Sequence, residues 1–254
     1  MFGHHHLNIT DIDAHKRLFV ETLGGTPVAN TKSADAIVKF PNALVLLRRQ
    51  PPTGGTKGTT VNHFAFGVPN IRQMVDRVKA AGWPMVTRAE TAPTQEVKDD
   101  LAFMVDQQTD VAFMMGPDET KIELIEIKTQ PTPIAIHHIH FLTPQVAEMK
   151  AWYVQVFRAT PGKRGNFEAA DLHGVNLTYS PAPGPVAGTR GRALDHISFE
   201  VNGLDAFCRR LQSMGIPYQR RADDGTALWN GAFITDPWGT YIEVTEGLDK
   251  YKSG

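Results

Sequence analysis

Short apolar segments separated by turn residues occur along the whole chain and indicate β-strands. The clearest of them are the segments 36–40, 44–47, 101–105, 111–115 and 122–127. A helical period of i, i+3, i+4 and i+7 also occurs twice, each time shortly before a glycine. The two helical stripes are Ile71, Met74, Val75 and Val78 before Gly82, and Leu204, Phe207, Cys208 and Leu211 before Gly215. The pattern therefore predicts amphipathic helices among short strands.

The chain repeats itself at long range, which indicates a duplication. The segment 55–63 returns as 188–196, which lies 133 residues later. Farther upstream the offset is 134 and pairs His4 with His138, whereas downstream it is 120 and pairs Glu123 with Glu243. Two homologous halves explain these offsets. The first half then carries 13 extra residues (133 minus 120), which we assign to the region 91–108.

Each half divides again into two similar units. The segments 4–10 and 61–68 both read as strands that lead into a helix, and three further strands follow each helix. The predicted unit is therefore strand, helix and three strands, and it occurs four times. We predict an N-terminal half over 1–129 and a C-terminal half over 133–254, with two units in each. The sequence leaves the pairing open: units three and four share a cup, or units pair across the duplication or between chains.

Composition and charge exclude several classes of protein. The 254 residues carry a net charge of -1, whereas nucleic-acid-binding proteins usually have a basic face. No apolar run approaches the roughly 20 residues that span a bilayer, and no signal peptide is evident, so we expect a cytoplasmic protein. Cys208 is the single cysteine, which excludes an intrachain disulfide, and its position in a helical stripe predicts a buried structural thiol.

Three motifs give the repeated unit a resemblance to a known family. They are His138-Ile-His-Phe, Asp195-His196-Ile-Ser-Phe, and the segment from Thr235-Asp-Pro-Trp-Gly to Glu246. With a His on the first strand and a Glu on the last, the chain resembles the vicinal oxygen chelate superfamily. That group includes glyoxalase I, extradiol dioxygenases, fosfomycin-resistance thiol transferases, methylmalonyl-CoA epimerase and bleomycin-binding proteins. The resemblance implies an α+β fold in which four tandem βαβββ modules form two cup-shaped, incompletely closed β-barrel halves.

The resemblance also implies one divalent metal ion held by residues of the strands. The ligands it implies for the main site are His138, His196 and Glu243. Two imidazoles and a carboxylate leave coordination positions open, which suits Fe, Mn, Zn, Ni or Co. The first half offers a matching set in His4, His63 and Glu123, which is either a second metal site or a vestige.

The catalytic residues beyond the metal ligands are less evident. The last strands of modules one and three offer no carboxylate or Gln as a fourth ligand, so the glyoxalase I pattern is incomplete. Tyr179 is a candidate hydrogen-bond donor facing the cup, and His173 is the nearest match to the second catalytic His of extradiol dioxygenases, although it comes early. Phe233 stands where those enzymes have a Tyr. Trp229 is a candidate for lining the cup.

The leading hypothesis is a metalloenzyme whose small substrate binds the metal through neighbouring oxygens. The ligand set favours an Fe(II)-type dioxygenase. The alternatives are a glyoxalase-like isomerase, epimerase or lyase that works by metal-assisted proton transfer, and a metal-free binding protein of the resistance type. A thiol co-substrate is expected only in the glyoxalase or thiol-transferase interpretations. We expect no nucleic-acid or membrane partner, and a homodimer is compatible with the sequence.

Overall fold

The computed structural model describes residues 1–29, 34–222 and 228–251, and these contain four modules of the predicted type. Module 1 contains β1 (Phe2–Ile9), α1 (Ile12–Lys16) continued by a π-helical turn (Arg17–Thr22), β2 (Thr26–Pro27), β3 (Ala36–Phe40) and β4 (Ala43–Arg49). Module 2 contains β5 (Val61–Val68), α2 (Ile71–Ala80), α3 (Thr87–Glu90), β6 (Ala102–Met104), β7 (Thr109–Met115), a 3-10 turn (Pro117–Glu119) and β8 (Lys121–Glu126).

The second half of the chain follows the same plan. Module 3 contains β9 (Ala135–Thr143), α4 (Val146–Phe157), β10 (Thr160–Arg164), β11 (Phe167–Leu172) and β12 (Val175–Pro181). Module 4 contains β13 (Leu194–Glu200), α5 (Leu204–Ser213), β14 (Gln219–Arg220), β15 (Asn230–Thr235), β16 (Tyr241–Glu246) and a 3-10 turn (Asp249–Tyr251). The predicted α+β class with four βαβββ modules is confirmed.

The helices form where a cap and an apolar stripe coincide. The Asn70 side chain accepts a hydrogen bond from the backbone N–H of Gln73 at 3.1 Å and thus caps α2. All the residues of the two predicted stripes on α2 and α5 are buried, including Cys208, which is a free thiol. The helical periodicity and the buried position of the thiol are therefore both confirmed. None of the helices in the described ranges is both long and apolar enough to cross a membrane.

The modules pair across the duplication. Sheet A has eight strands in the order β14-β15-β16-β13-β1-β4-β3-β2 and joins modules 1 and 4, because β1 lies antiparallel to β13. Sheet B has the order β10-β11-β12-β9-β5-β8-β7-β6 and joins modules 2 and 3 through the antiparallel pair β5 and β9. The sequence halves 1–129 and 133–254 thus do not correspond to the two sheets, and as units of duplication they stay a prediction.

One continuous apolar core, with residues of all four modules, holds the sheets together. The His5 ring of sheet A stacks on Phe64 of sheet B, with 4.2 Å between ring centroids, and Phe40 packs on Phe66 at 4.7 Å. Because side chains alternate along a strand, a strand with one face in this core turns its other face into the cup of its sheet. The candidate ligands occupy these cup faces.

Candidate metal centres

The cross-pairing redistributes the six candidate ligands, so their predicted grouping by sequence half is wrong. His196 on β13 lies next to His4 on β1, because β1 and β13 are neighbours in sheet A. His138 on β9 lies near His63 on β5 for the same reason in sheet B. The structure therefore assembles two sets. Cluster A consists of His4, His196 and Glu243, and cluster B consists of His63, Glu123 and His138.

The three ligand atoms of cluster A converge on one point. His4 Nε2 and His196 Nε2 lie 3.2 and 3.4 Å from Glu243 Oε2, and the two nitrogens are 3.4 Å apart. Bonds of about 2.05 Å to a tetrahedral ion would separate neighbouring ligands by about 3.3 Å. Glu243 Oε2 is buried and receives no hydrogen bond of acceptable geometry. This spacing and this unsatisfied oxygen fit a bound cation.

The surroundings of cluster A orient its ligands. Asp195 Oδ1 lies 2.6 Å from His196 Nδ1, which places the ring proton on Nδ1 and leaves the Nε2 lone pair facing the other ligands. The second carboxylate oxygen of Glu243 accepts hydrogen bonds from Arg221 and from the indole N–H of Trp229, the latter at 3.2 Å. Trp229, predicted to line the cup, thus contacts a candidate ligand.

The protonation states of His4 and Glu243 in cluster A also suit a cation. Burial lowers the pKa of His4 to about 4, so its ring is neutral at pH 7. Burial alone would raise the pKa of Glu243, but the neighbouring His196, His4 and Arg221 hold that pKa well below its usual range. An ionised carboxylate oxygen thus faces imidazole nitrogens in a buried site, and a divalent cation would satisfy all three atoms.

Cluster B has the same composition and a similar internal geometry. Glu123 Oε2 lies 2.8 Å from His63 Nε2 and 3.2 Å from His138 Nε2. Asn62 Oδ1 lies 2.9 Å from His63 Nδ1, which makes Asn62 the counterpart of Asp195. A cation already stands at this cluster: Arg164 Nη2 is 3.1 Å from His138 Nε2. Its two imidazoles and one carboxylate converge as those of cluster A do, so the donor set of cluster B also fits a cation.

Cluster B opens into a cavity of about 670 Å³ between modules 2 and 3. His63 and Glu123 form part of its wall. Its charged lining consists of three cationic side chains, Lys57, Lys121 and Arg164, and two carboxylates, Glu90 and Glu123. The rings of Phe113 and Phe167 and the side chains of Met104, Val111 and Leu142 supply apolar surface. The predicted 13-residue insertion contributes here, since Gln95, Met104 and Gln107 all fall within 91–108.

A further histidine, His140, adjoins cluster B. It offers a ligand atom within 4.8 Å of those of His63, Glu123 and His138, and it also lines the cavity. Its Nε2 lies 2.7 Å from Ser180 Oγ. In the register of β9 and β12, His140 faces Thr178, so a threonine occupies the strand position where a fourth ligand was sought.

Two predicted catalytic residues do not lie in either cluster. Tyr179 is adjacent to Thr178 and therefore points to the opposite face of β12, where its ring stacks on Phe141 in the core at 5.3 Å. The prediction that Tyr179 faces the cup is wrong. His173 lies in the exposed turn between β11 and β12, where its backbone carbonyl accepts a hydrogen bond from the backbone N–H of Phe2, and it is thus not part of either cluster.

The comparisons with known proteins agree with this architecture. A family model described as the Glyoxalase/Bleomycin resistance protein/Dioxygenase superfamily matches residues 2–104 and 135–244. The chain belongs to this superfamily. A relative named Glyoxylase I 4 from Arabidopsis thaliana is 30% identical over 120 residues, which cover 43% of this chain and 69% of that protein.

Two further similarities fall within the glyoxalase/bleomycin resistance protein/dioxygenase superfamily. A Pseudomonas aeruginosa protein named lactoylglutathione lyase is 36% identical over 55 residues, 22% of this chain and 30% of that protein. Glyoxalase I from Zea mays shares the fold, with a TM-score of 0.70, 16% identity, and coverage of 98% of this chain and 93% of that chain. These relatives carry the names of enzymes, in agreement with the prediction that the chain is an enzyme of this superfamily.

Proposed function

We propose that this chain is a divalent-metal-dependent enzyme that acts on a small anionic substrate with two neighbouring oxygen atoms, and that cluster B is its active site. The observation that carries the proposal is that His63, Glu123 and His138 converge, and that His63 and Glu123 line the 670 Å³ cavity. A cavity of this size with a few convergent polar groups is typical of a small-molecule site.

The ligands of cluster B have defined tasks in this proposal. His63, Glu123 and His138 would hold the metal, and Asn62 would fix the orientation of the His63 ring. The bound metal would act as a Lewis acid on the two neighbouring oxygens of the substrate and, as iron, would also supply oxygen-activating chemistry.

The lining of the cavity indicates the charge of the substrate. The three cationic side chains exceed the two carboxylates by one charge, before a divalent ion adds two more. Lys57 and Lys121 both bond to Glu90, but Lys121 is buried whereas Lys57 is exposed, so Lys57 and Arg164 are the cations better placed to contact a ligand. Phe113 and Phe167 would pack against an apolar or aromatic part of the substrate.

Within this class we favour an iron-dependent dioxygenase. The ligand set is two histidines and one glutamate, and Thr178 rather than a carboxylate occupies the fourth strand position. Such a set with open positions is the one used by non-haem Fe(II) oxygenases. The second candidate is a lyase or isomerase that moves a proton, which the names of the Arabidopsis, Pseudomonas and maize proteins favour. A thiol co-substrate belongs only to this second candidate.

The test is metal content per chain, measured by elemental analysis after purification without a nickel column. We expect His63→Ala to lose the metal of cluster B and all activity, whereas a substitution at His173, which lies outside both clusters, should change neither. Oxygen uptake by the iron-loaded protein with aromatic diols and 2-oxo acids would support the dioxygenase. Hemithioacetal isomerisation without oxygen uptake would support the lyase. No metal above background after reconstitution with Fe, Mn, Zn, Ni and Co would favour a metal-free binding protein instead.

A further inference from the structure

Arg164, at the end of β10, forms a hydrogen bond with one of the candidate metal ligands of cluster B. Its Nη2 lies 3.1 Å from His138 Nε2, its Nη1 donates to Gln107 Oε1 at 2.5 Å, and its Nε donates to Thr178 Oγ1 at 2.9 Å. The contacts with Gln107 and Thr178 thus hold the guanidinium from outside the cluster, and the contact with His138 joins it to the cluster. A guanidinium can only donate, so His138 Nε2 must be the acceptor.

The contact between Arg164 and His138 competes directly with a metal ion. A metal needs the Nε2 lone pair at roughly 2.0–2.1 Å, and that lone pair accepts the Arg164 hydrogen bond in this structure. Arginine stays charged, so a divalent ion beside Nη2 would also be repelled by it. A metal and the Nη2 donor therefore cannot both occupy His138 Nε2.

Cluster A provides the contrast. Its arginine, Arg221, donates to the outer oxygen of Glu243 and so leaves Oε2 and both imidazole nitrogens facing one another. A metal can enter cluster A without displacing an arginine from a ligand nitrogen. Of the two clusters, only cluster B, which adjoins the large cavity, has an arginine on a ligand nitrogen, and a metal would have to displace it.

We propose that Arg164 is a counter-ion that metal binding releases from His138 to become the anion-binding residue of the substrate cavity. This inference rests on the proposed function of cluster B. Because the guanidinium is planar and rigid, the whole group would shift away from the ligand and its contacts with Gln107 and Thr178 would adjust. Arg164 already lines the cavity, and its freed N–H would meet an anionic group of a substrate there. Metal and anion binding at cluster B would therefore be coupled, whereas metal binding at cluster A would not.

The experiment compares Arg164→Gln with Lys57→Gln in the full-length, metal-free chain. Lys57 lines the same cavity and carries the same charge, but it bonds to Glu90 and not to a cluster ligand. Mn²⁺ binding is measured by calorimetry, and His63→Ala identifies which site is cluster B. The anion probe is salicylate, an aromatic anion with two neighbouring oxygens, whose binding to the Mn²⁺-loaded protein is followed by its fluorescence.

We expect Arg164→Gln to tighten Mn²⁺ binding at cluster B by about tenfold and to weaken salicylate binding by about tenfold, the worth of one charge-assisted hydrogen bond in each case. Lys57→Gln should leave Mn²⁺ affinity within about twofold. Arg164→Lys, a milder change, should tighten Mn²⁺ binding less because the charge remains. A Mn²⁺ site that Arg164→Gln leaves unchanged would overturn this inference and leave the proposed function intact. A wild-type chain without a His63-dependent Mn²⁺ site would overturn both.

Discussion

Cluster A takes its ligands from modules 1 and 4, and pairs of substitutions can test this grouping. The perturbations are His4→Ala, His138→Ala and His196→Ala, singly and in pairs. His4 and His196 face the same oxygen of Glu243 at 3.2 and 3.4 Å, so removing either one breaks the same site. His138 belongs to cluster B, where it faces Glu123. Grouping by sequence half would instead make His138 and His196 partners.

The expected magnitude follows from linkage. An ion at about 100 times its dissociation constant stabilises the folded chain by about 2.7 kcal/mol per site. At this chain length about 1 kcal/mol raises Tm by about 2–4 °C, so each occupied cluster adds roughly 5–11 °C. The His4→Ala, His196→Ala pair should therefore lose the metal-induced shift of one site. The His138→Ala, His196→Ala pair should lose the shift of both.

The assay is thermal unfolding followed by circular dichroism, with and without Mn²⁺, for each variant. Each shift is referred to the same variant without metal, which cancels the cost of the truncated side chain itself. We expect the losses of the metal-induced Tm shift to be non-additive when His4→Ala and His196→Ala are combined. The losses should be additive when His138→Ala and His196→Ala are combined. If His138 and His196 together lose only one site's shift, the cross-paired clusters are refuted.

Three further predictions concern single positions. A Cβ at Gly231 would lie 2.6 Å from Glu243 Oε1, so Gly231→Ala should weaken metal binding at cluster A in calorimetry. The control is Gly184→Ala, which has open space around it and should leave the affinity unchanged. Equal affinities of the two variants for the metal would contradict the close contact at Gly231. Asn62→Ala should weaken metal binding at cluster B by about 10–100-fold and leave cluster A unchanged, because it frees the His63 ring, and a loss at both clusters would argue against a local effect. His5 is buried with both ring nitrogens unpartnered, and burial lowers its pKa to about 3, so His5→Phe should stabilise the fold by about 1–3 kcal/mol in urea unfolding. The folded pKa of His5 lies below the unfolded value of 6.5, so the stability of the wild-type chain should also fall by up to about 1.4 kcal/mol per pH unit below pH 6.5. If stability falls with pH as steeply in His5→Phe as in the wild type, this prediction is wrong.

The sequence predicted the modules but not their partners. Strand, helix and ligand positions follow from local periodicity and from the repeat, and these predictions hold for α2, α5 and the strands after them. The pairing of the modules could not be predicted in this way, because duplicated modules have similar first strands. Whether β1 joins β5 or β13 depends on linker paths and on packing between sheets, which a repeat alignment does not contain.

Register explains why Tyr179 does not face the cup. Tyr179 faces the core because Thr178, and not Tyr179, lies opposite His140, and this offset is set by the hydrogen bonds between β9 and β12. Arg164 gave no signal at all, since it lies on a hairpin strand of module 3 and acts on a ligand from another strand. Asn62 and Asp195 did give a signal, because an Asx residue precedes the repeated His in both halves.

The pairing of β1 with β13 also affects the order in which the chain can fold during synthesis. Strands β5 to β12 span residues 61–181, so sheet B can close while the last module is still being translated. β1 precedes these strands, yet the edge that it offers to β13 stays without its partner until about 190 residues after it have been added, judging from the register of His6 with His196. We therefore expect β1 to be the segment that a nascent chain must protect from aggregation.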